Sequence, residues 1–324
     1  MKALVCKEFS SPDNLVIEEF PTPKPGEGEL LVDVKAGGIN FPDVLTVQGK
    51  YQFKPELPFK VGQEGAGVVA AVGAGVKGFK PGDRIIFNAP GGAFATQCIT
   101  PANSAFPMAS NMSFEQAAGF SITYGTSYYA LKQRANLQPG ETVLVLGAAG
   151  GVGVTAIQIA KAMGAKVIAA ASTDEKLDFA CEVGADMRIN YSTENLKERI
   201  KELTGGKGAD VIYDPVGGDY TEQAYRSIAW YGRYLVIGFA SGPIPKLPLN
   251  LPLLKCGDII GVFWGSWMMR DPKAGQQNFV ELLQMIEAGK LTPITTEVYA
   301  LDDFAAAFRS LTERRARGKV ILRM

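Results

Sequence analysis

The most readable chemistry in this 324-residue chain lies in seven residues, Gly147-Ala148-Ala149-Gly150-Gly151-Val152-Gly153. They stand between a continuous apolar segment, Thr142–Leu146, and an apolar-periodic one at 152–163, so the cluster reads as the turn from a buried strand into a helix. Glycines there permit a tight turn, bring backbone N–H groups close to a pyrophosphate and leave the anion at the positive end of the helix dipole. A second strand, Lys166–Ala171, ends about 20 residues later, as a dinucleotide-binding βαβ unit requires. Without a ligand the same residues would be a glycine-rich packing turn.

The end of that second strand decides which dinucleotide fits, because an NAD site offers a carboxylate to the ribose 2′-hydroxyl. Here the chain reads Ala169-Ala170-Ala171-Ser172-Thr173-Asp174-Glu175-Lys176. Small and hydroxyl residues followed by Lys176 accommodate a 2′-phosphate and offset its charge, which favours NADP(H). Two readings oppose this: Asp174 faces the ribose if the turn is shifted by a residue or two, and Lys176 is simply solvated.

Composition removes several other chemistries. The chain has no histidine, which takes away the usual general base, the partner of serine and cysteine nucleophiles and the commonest transition-metal ligand. Lys+Arg and Asp+Glu each total 33, so no overall field draws in nucleic acid or an anionic bilayer, and neither partner is expected. Cys6, Cys98, Cys181 and Cys256 form no C-x-x-C pair and read as reduced, partly buried thiols. Lys2, Lys7 and Glu8 leave no room for a secretory signal, so a cytoplasmic protein is expected. The uncharged run 142–160 is interrupted by four glycines and fits a buried strand, loop and helix better than a membrane span. Gly238-Phe239-Ala240-Ser241-Gly242 lacks the Gly-x-Ser-x-Gly pattern of a serine hydrolase.

The elements that must hold these residues fall into two textures. Up to about residue 120, short β-branched runs at 30–34, 67–72 and 84–87 are separated by turns at Pro25-Gly26 and Pro81-Gly82. Ser113 with Gln116 forms a capping box, and helical spacing continues from there to Ala135. From Glu141, strands at 142–146, 166–171, 187–191, 210–214, 233–239 and 258–263 alternate with helices at 152–163, 175–183, after a Ser192 cap, and at 221–229. Six strands in this pattern predict an α/β fold with a doubly wound parallel sheet. The tail reads as helices at 279–288 and 302–312 and a last strand, 319–322, that rejoins the first domain. The expected division is 1–122 with 265–324, and 123–264.

Further segments carry a family resemblance: Pro25–Val34, Gly38-Ile39-Asn40, Gly62-Gln63-Glu64-Gly65-Ala66-Gly67 running on to Arg84, Thr123-Tyr124-Gly125-Thr126, and Asp214-Pro215-Val216-Gly217-Gly218. With the glycine cluster, they make the chain resemble the zinc-free quinone oxidoreductases, the zeta-crystallin-like branch of the medium-chain dehydrogenase/reductase superfamily. The resemblance implies a GroES-like, mostly-β catalytic domain beside a Rossmann NADP-binding domain. Gln63 stands where zinc-dependent relatives carry histidine, and their closely spaced structural cysteines are missing, so no metal site is expected. Glu64 then reads as a structural carboxylate.

What the resemblance implies chemically is hydride transfer from NADPH to a quinone or related α,β-unsaturated carbonyl, whose reduction gives a delocalised anion that requires little metal polarisation. It implies that Asn40 and Tyr51 sit near the nicotinamide and acceptor, with Thr126 beside the cofactor. It further implies that Gly150, Gly151, Val152 and Gly153 hold the pyrophosphate, and that Ser172, Lys176 and Tyr191 surround the 2′-phosphate. Arg315 adds a second cation there, with Arg314 and Arg317 open as alternatives and a solvated helix end as another. Phe239, Phe263 and Trp264 follow strands at the edge where open α/β sheets bind ligands, with Phe239 and Phe263 counted among the cofactor contacts and interdomain packing the alternative for Trp264. Tyr51 and solvent both remain as proton donors, and a homodimer is implied by the family. Two other functions compete: reduction of 2-enoyl thioesters, and a catalytically weak NADPH-binding sensor or structural protein.

Overall fold

The computed structural model describes residues 1–89 and 91–324 and divides the chain into two compact units, Met1–Ile122 with Thr292–Met324, and Thr123–Leu291. In the second unit six parallel strands form one sheet in the spatial order Met187–Asn190, Lys166–Ala171, Thr142–Leu146, Ala209–Asp214, Ile228–Val236 and Asp258–Gly261. Numbered along the chain that is 3-2-1-4-5-6, the doubly wound order, with its switch point beside Thr142–Leu146. Val143 to Leu146 are fully buried, because helices cover both faces of a parallel strand, and this explains the unbroken apolar run in the sequence.

In the first unit a seven-stranded sheet runs Thr295–Ala300, Lys319–Arg323, Glu29–Ile39, Glu64–Val72, Arg84–Asn88 and Ala105–Pro107, with Gln97–Pro101 also paired to Glu29–Ile39. A three-stranded sheet of Val16–Glu19, Lys2–Cys6 and Phe59–Lys60 completes it. The last strand rejoins this unit as expected, antiparallel to Glu29–Ile39 with Val320 opposite Ile39. That register brings Lys319 to the end of the strand that leads into Asn40. Among the described residues no helix is long and apolar enough to cross a membrane.

Four expectations are corrected. The helix from Ser113 to Ala135 is broken into Phe114–Ala118, Ser121–Tyr129 and a π-helical turn at Ala130–Arg134, because Gly119 ends the first piece and the Ser121 hydroxyl is drawn to Glu64. Ser192 does not cap a helix. Its amide is held by Asn190 Oδ1 at 3.1 Å, while Asn195 accepts from Glu198 N–H at 3.1 Å and caps Leu196–Leu203. Helix 221–229 is the shorter Tyr220–Tyr225, and the next strand begins already at Ile228.

The fourth correction concerns the division at residue 265. Trp264–Arg270 and Pro272–Glu287 belong to the second unit, which ends at Leu291. Tertiary contacts decide this: Phe279 and Leu282 are fully buried, Glu281 receives the Tyr128 hydroxyl at 2.6 Å and pairs with Lys132, and Trp267 stacks on Tyr129 with centroids 4.2 Å apart. Truncating Phe279 to Ala therefore leaves a large cavity in the second unit, and its urea unfolding transition should lose about 3–5 kcal/mol. An unchanged midpoint would mean that this helix does not contribute to that core.

Candidate active site

The glycine turn is built as a cradle. Gly147 takes a φ of 58°, Gly150 N–H closes the turn on the Gly147 carbonyl at 2.9 Å, and Gly150 is the extended residue before helix Gly151–Ala162. That helix start has no side-chain cap and no acidic residue in its first turn, so its amides and dipole face an anion without competition. A side chain at Gly153 would overlap the Gly147 carbonyl oxygen and the Ala148 backbone. A diphosphate would fit such a cradle, where Gly150, Gly151, Val152 and Gly153 could hold it. The neighbouring helix Ser121–Tyr129, which carries half-buried Thr126, is tied to the same helix by Ser127 Oγ, 2.7 Å from Thr155 Oγ1 and 2.8 Å from the Tyr213 hydroxyl.

Beside this turn the ends of strands Lys166–Ala171 and Met187–Asn190 lie next to each other. Ser172 and Lys176 come together there, with Lys176 Nζ donating to Ser172 Oγ at 3.4 Å. Thr173 caps helix Asp174–Val183, which sets Lys176 one turn into it. Asp174 accepts from Asn190 Nδ2 at 3.1 Å, so its carboxylate has a protein partner. Tyr191 follows directly, its amide bonded to Ala171 and its ring 4.2 Å from that of Tyr220.

At the carboxyl ends of the next strands a cavity of about 140 Å³ is lined by residues including Asp214, Thr221, Tyr234, Gly238 and Phe239. Asp214 anchors its floor: Oδ1 accepts the amides of Val216 and Gly217 at 2.7 and 2.8 Å, and Oδ2 accepts Thr221 Oγ1 at 3.0 Å and the Tyr234 hydroxyl. Burial, then the Asp214 charge, drives the Tyr234 hydroxyl far above the ordinary phenol range. Gly217, at φ 68°, leaves room for Phe239. Phe263 is exposed at the start of helix Trp264–Arg270, whose first residue packs its indole against Gly125.

The first unit holds a second polar cluster. Glu64 is fully buried, and its Oε1 receives Lys319 Nζ at 2.7 Å and Asn40 Nδ2 at 2.8 Å. Its Oε2 receives Ser121 Oγ and the Ile122 amide, each at 2.8 Å. Lys319 Nζ also donates to Asn40 Oδ1 at 2.6 Å. Asn40 is itself buried and precedes helix Phe41–Val47, with its amide donating to Asp43 Oδ2 at 2.7 Å. Tyr51 follows that helix, half-buried, its ring centroid 6.4 Å from that of Phe53. Burial, and then the nearby Asp43 charge, raises the Tyr51 hydroxyl above its usual value, so the phenol stays protonated at neutral pH. Arg315 belongs to this unit too, exposed and bonded through Nε to Glu313 at 2.8 Å.

Comparison with known proteins gives the family. Residues 26–144 match the alcohol dehydrogenase GroES-like domain, and residues 151–288 match the zinc-binding dehydrogenase family. A quinone oxidoreductase-like protein 2 homolog from Nematostella vectensis is 42% identical over 325 residues, covering 99% of this chain and 88% of that protein. The chain belongs to the quinone oxidoreductase branch of the medium-chain dehydrogenase/reductases. The Escherichia coli quinone oxidoreductase complexed with NADPH superposes with a TM-score of 0.92 at 33% identity over 100% of both chains. A Pseudomonas syringae quinone oxidoreductase does so with 0.93 at 37%, over 100% of this chain and 99% of that one. The protein is thus a quinone oxidoreductase-like enzyme.

Within this quinone oxidoreductase fold, sequence reading missed Lys319, Asp43 and Ser121. Asp43 left a signal: an acid three residues after Asn40 is a capping pattern. Lys319 reads as the start of the last strand, but a lysine following three arginines gives no sign that its ammonium is buried. No group of three or more histidine, cysteine, aspartate or glutamate side chains is placed to hold a metal ion among the described residues.

Asp43 titrates unusually in this enzyme. Burial pushes its carboxyl up to about 7, with the Asn40 amide and the Lys319 charge opposing and the Glu64 charge reinforcing. The folded state then keeps a proton that an unfolded aspartate, near ~3.9, has released, so stability falls as pH rises through this window. Asp43→Asn keeps an acceptor for the Asn40 amide and removes the titration. The stability of wild type relative to this variant should decline by up to about 1.4 kcal/mol per pH unit between about pH 4 and 7, then level off. Urea titrations across the range measure it, and a difference constant with pH would contradict the buried acid.

Proposed function

We propose that the protein transfers hydride from NADPH to quinones or related α,β-unsaturated carbonyls. The observation that carries this reading is the end of the second strand, where Ser172 and Lys176 meet beside an uncapped helix start while Asp174 is engaged by Asn190. A 2′-phosphate is matched there by an ammonium and a hydroxyl, with Tyr191 adjacent.

When bound, the nicotinamide supplies the hydride. The chain's own residues would do the rest: amides at 150–153 would hold the diphosphate, Thr126 would lie on the cofactor's side of the site, and Phe239 and Phe263 would offer flat apolar surface. Asn40 and Tyr51 serve the acceptor. Tyr51 holds its proton at neutral pH, which supports a role as hydrogen-bond donor to a carbonyl oxygen as charge develops on it. Arg315 is retained in this proposal as a second cation for the 2′-phosphate, since its exposed pair with Glu313 is worth little and is readily given up. A homodimer belongs to the same proposal, since Asp258–Gly261 ends the parallel sheet and Leu253, Leu254 and Ile259 are exposed around it. So does a cytoplasmic setting, where the four free cysteines would stay reduced.

With 1,4-benzoquinone or 9,10-phenanthrenequinone as acceptor and no added metal, NADPH should be oxidised faster than NADH. Lys176→Ala should raise the KM for NADPH about tenfold, the loss of a charge-assisted contact, and leave NADH little changed. Equal effects on both nucleotides would remove the phosphate contact, and faster turnover of crotonyl-CoA than of any quinone would replace the acceptor class.

A further inference from the structure

Lys319 is 5% exposed and Glu64 is fully buried, so this ion pair has given up its hydration. Such a pair is a poor device for stability, because well-packed apolar residues of similar volume often serve as well. The chain nevertheless makes room for it. A side chain at Gly38 would overlap the Ala118 carbonyl oxygen and come within 2.9 Å of Glu64 Oε1 and 3.0 Å of Lys319 Cε, and one at Gly119 would overlap Lys319 Cγ. Gly119 therefore opens the slot through which the lysine stem passes, and Gly38, pressed against the Ala118 backbone, borders it.

The ammonium arrives at Asn40. The Asn40 amide hydrogens go to Glu64 Oε1 and to the Gly38 carbonyl, at 2.8 and 3.2 Å, and its oxygen receives Lys319. The amide group is thereby locked and donates nothing outward. What remains for Asn40 to do lies in its main chain, which exchanges hydrogen bonds with Asp43: Asn40 N–H to Oδ2 at 2.7 Å, and Asp43 N–H to the Asn40 carbonyl at 3.0 Å. This turn starts helix Phe41–Val47, and the chain leaves it through Gly49, at φ 66°, to reach Tyr51.

We propose that Lys319 is a positioning residue for the acceptor: clamped by Glu64, it fixes Asn40 and, through the Asn40–Asp43 turn, sets where the Tyr51 hydroxyl meets the acceptor carbonyl. The inference rests on the hydride-transfer reading above and extends it to a residue outside the reacting groups. Removing the lysine alone would strand a buried carboxylate, so the informative change is the neutral pair Lys319→Met with Glu64→Gln, which keeps volume and removes both charges.

Wild type and the double variant are compared by thermal unfolding, NADPH affinity, affinity for an unreactive hydroquinone read by tryptophan fluorescence, and quinone kinetics across pH. The double variant should unfold near the wild-type temperature and bind NADPH within about twofold of it, yet lose about tenfold or more in hydroquinone affinity and in quinone kcat/KM. Its pH profile should also move upward, because the lysine charge that lowers Asp43 outweighs the Glu64 charge that raises it, with Asn40 and Tyr51 the other groups facing that acid. A folded double variant with wild-type hydroquinone affinity, kcat/KM and pH profile would overturn the proposal and leave the pair purely structural. If the double variant fails to fold, Gly119→Ala decides: crowding the lysine stem should raise quinone KM about threefold, and an unchanged KM overturns the proposal. A wild-type chain that reduces no acceptor overturns the hydride-transfer reading and this one with it, an outcome visible in the wild type alone.

Discussion

The second unit depends on a close approach of backbone to backbone. Where strand Thr142–Leu146 hands over to helix Gly151–Ala162, position 153 lies so near the Gly147 carbonyl that no side chain can stand between them. The uncapped, acid-free start of that helix leaves its first amides open to an anion. The parallel order of the sheet then brings the ends of its neighbouring strands to the same edge, which is why Ser172, Lys176 and Tyr191 lie beside the turn though they are distant along the chain. At the same edge the Asp174 carboxylate is engaged by Asn190.

The first unit solves a different problem. Its relatives with zinc use histidine beside the residue equivalent to Glu64, and here Gln63 stands in that place and the chain has no histidine at all. The buried negative charge is balanced by an ammonium from the last strand, at 2.7 Å, with two further hydrogen bonds from Ser121 and Ile122. Desolvation that would otherwise forbid a carboxylate at this depth is offset within one cluster. Asp43, two residues into helix Phe41–Val47, lacks such a direct cation and responds by rising toward neutrality.

Much of the fold was legible because strands and helices leave periodic marks. Thr142–Leu146 and Lys166–Ala171 have the bounds that their apolar runs implied, and the Ser113–Gln116 capping box is present. Breaks that depend on distant residues were not legible. Nothing near Gly119 announces a lysine two hundred residues away, and helices Trp264–Arg270 and Pro272–Glu287 joined the second unit through Trp267, Phe279 and Glu281, whose partners are far off in sequence. The site divides the same way. Ser172 beside Lys176 could be read from one strand end, whereas Lys319 could be read only as the start of the last strand, and its partners Glu64 and Asn40 follow from the register of Val320 with Ile39.

The central claim is that backbone amides at 150–153 bind the diphosphate of NADPH. Calorimetric titration of NADPH into the wild type and into Gly153→Ala tests it most directly. The account predicts saturable binding to the wild type and affinity weakened about tenfold or more in a variant that remains folded, because the added methyl forces the turn apart. Absence of any binding heat in the wild type, or equal affinity in the two proteins, would contradict it.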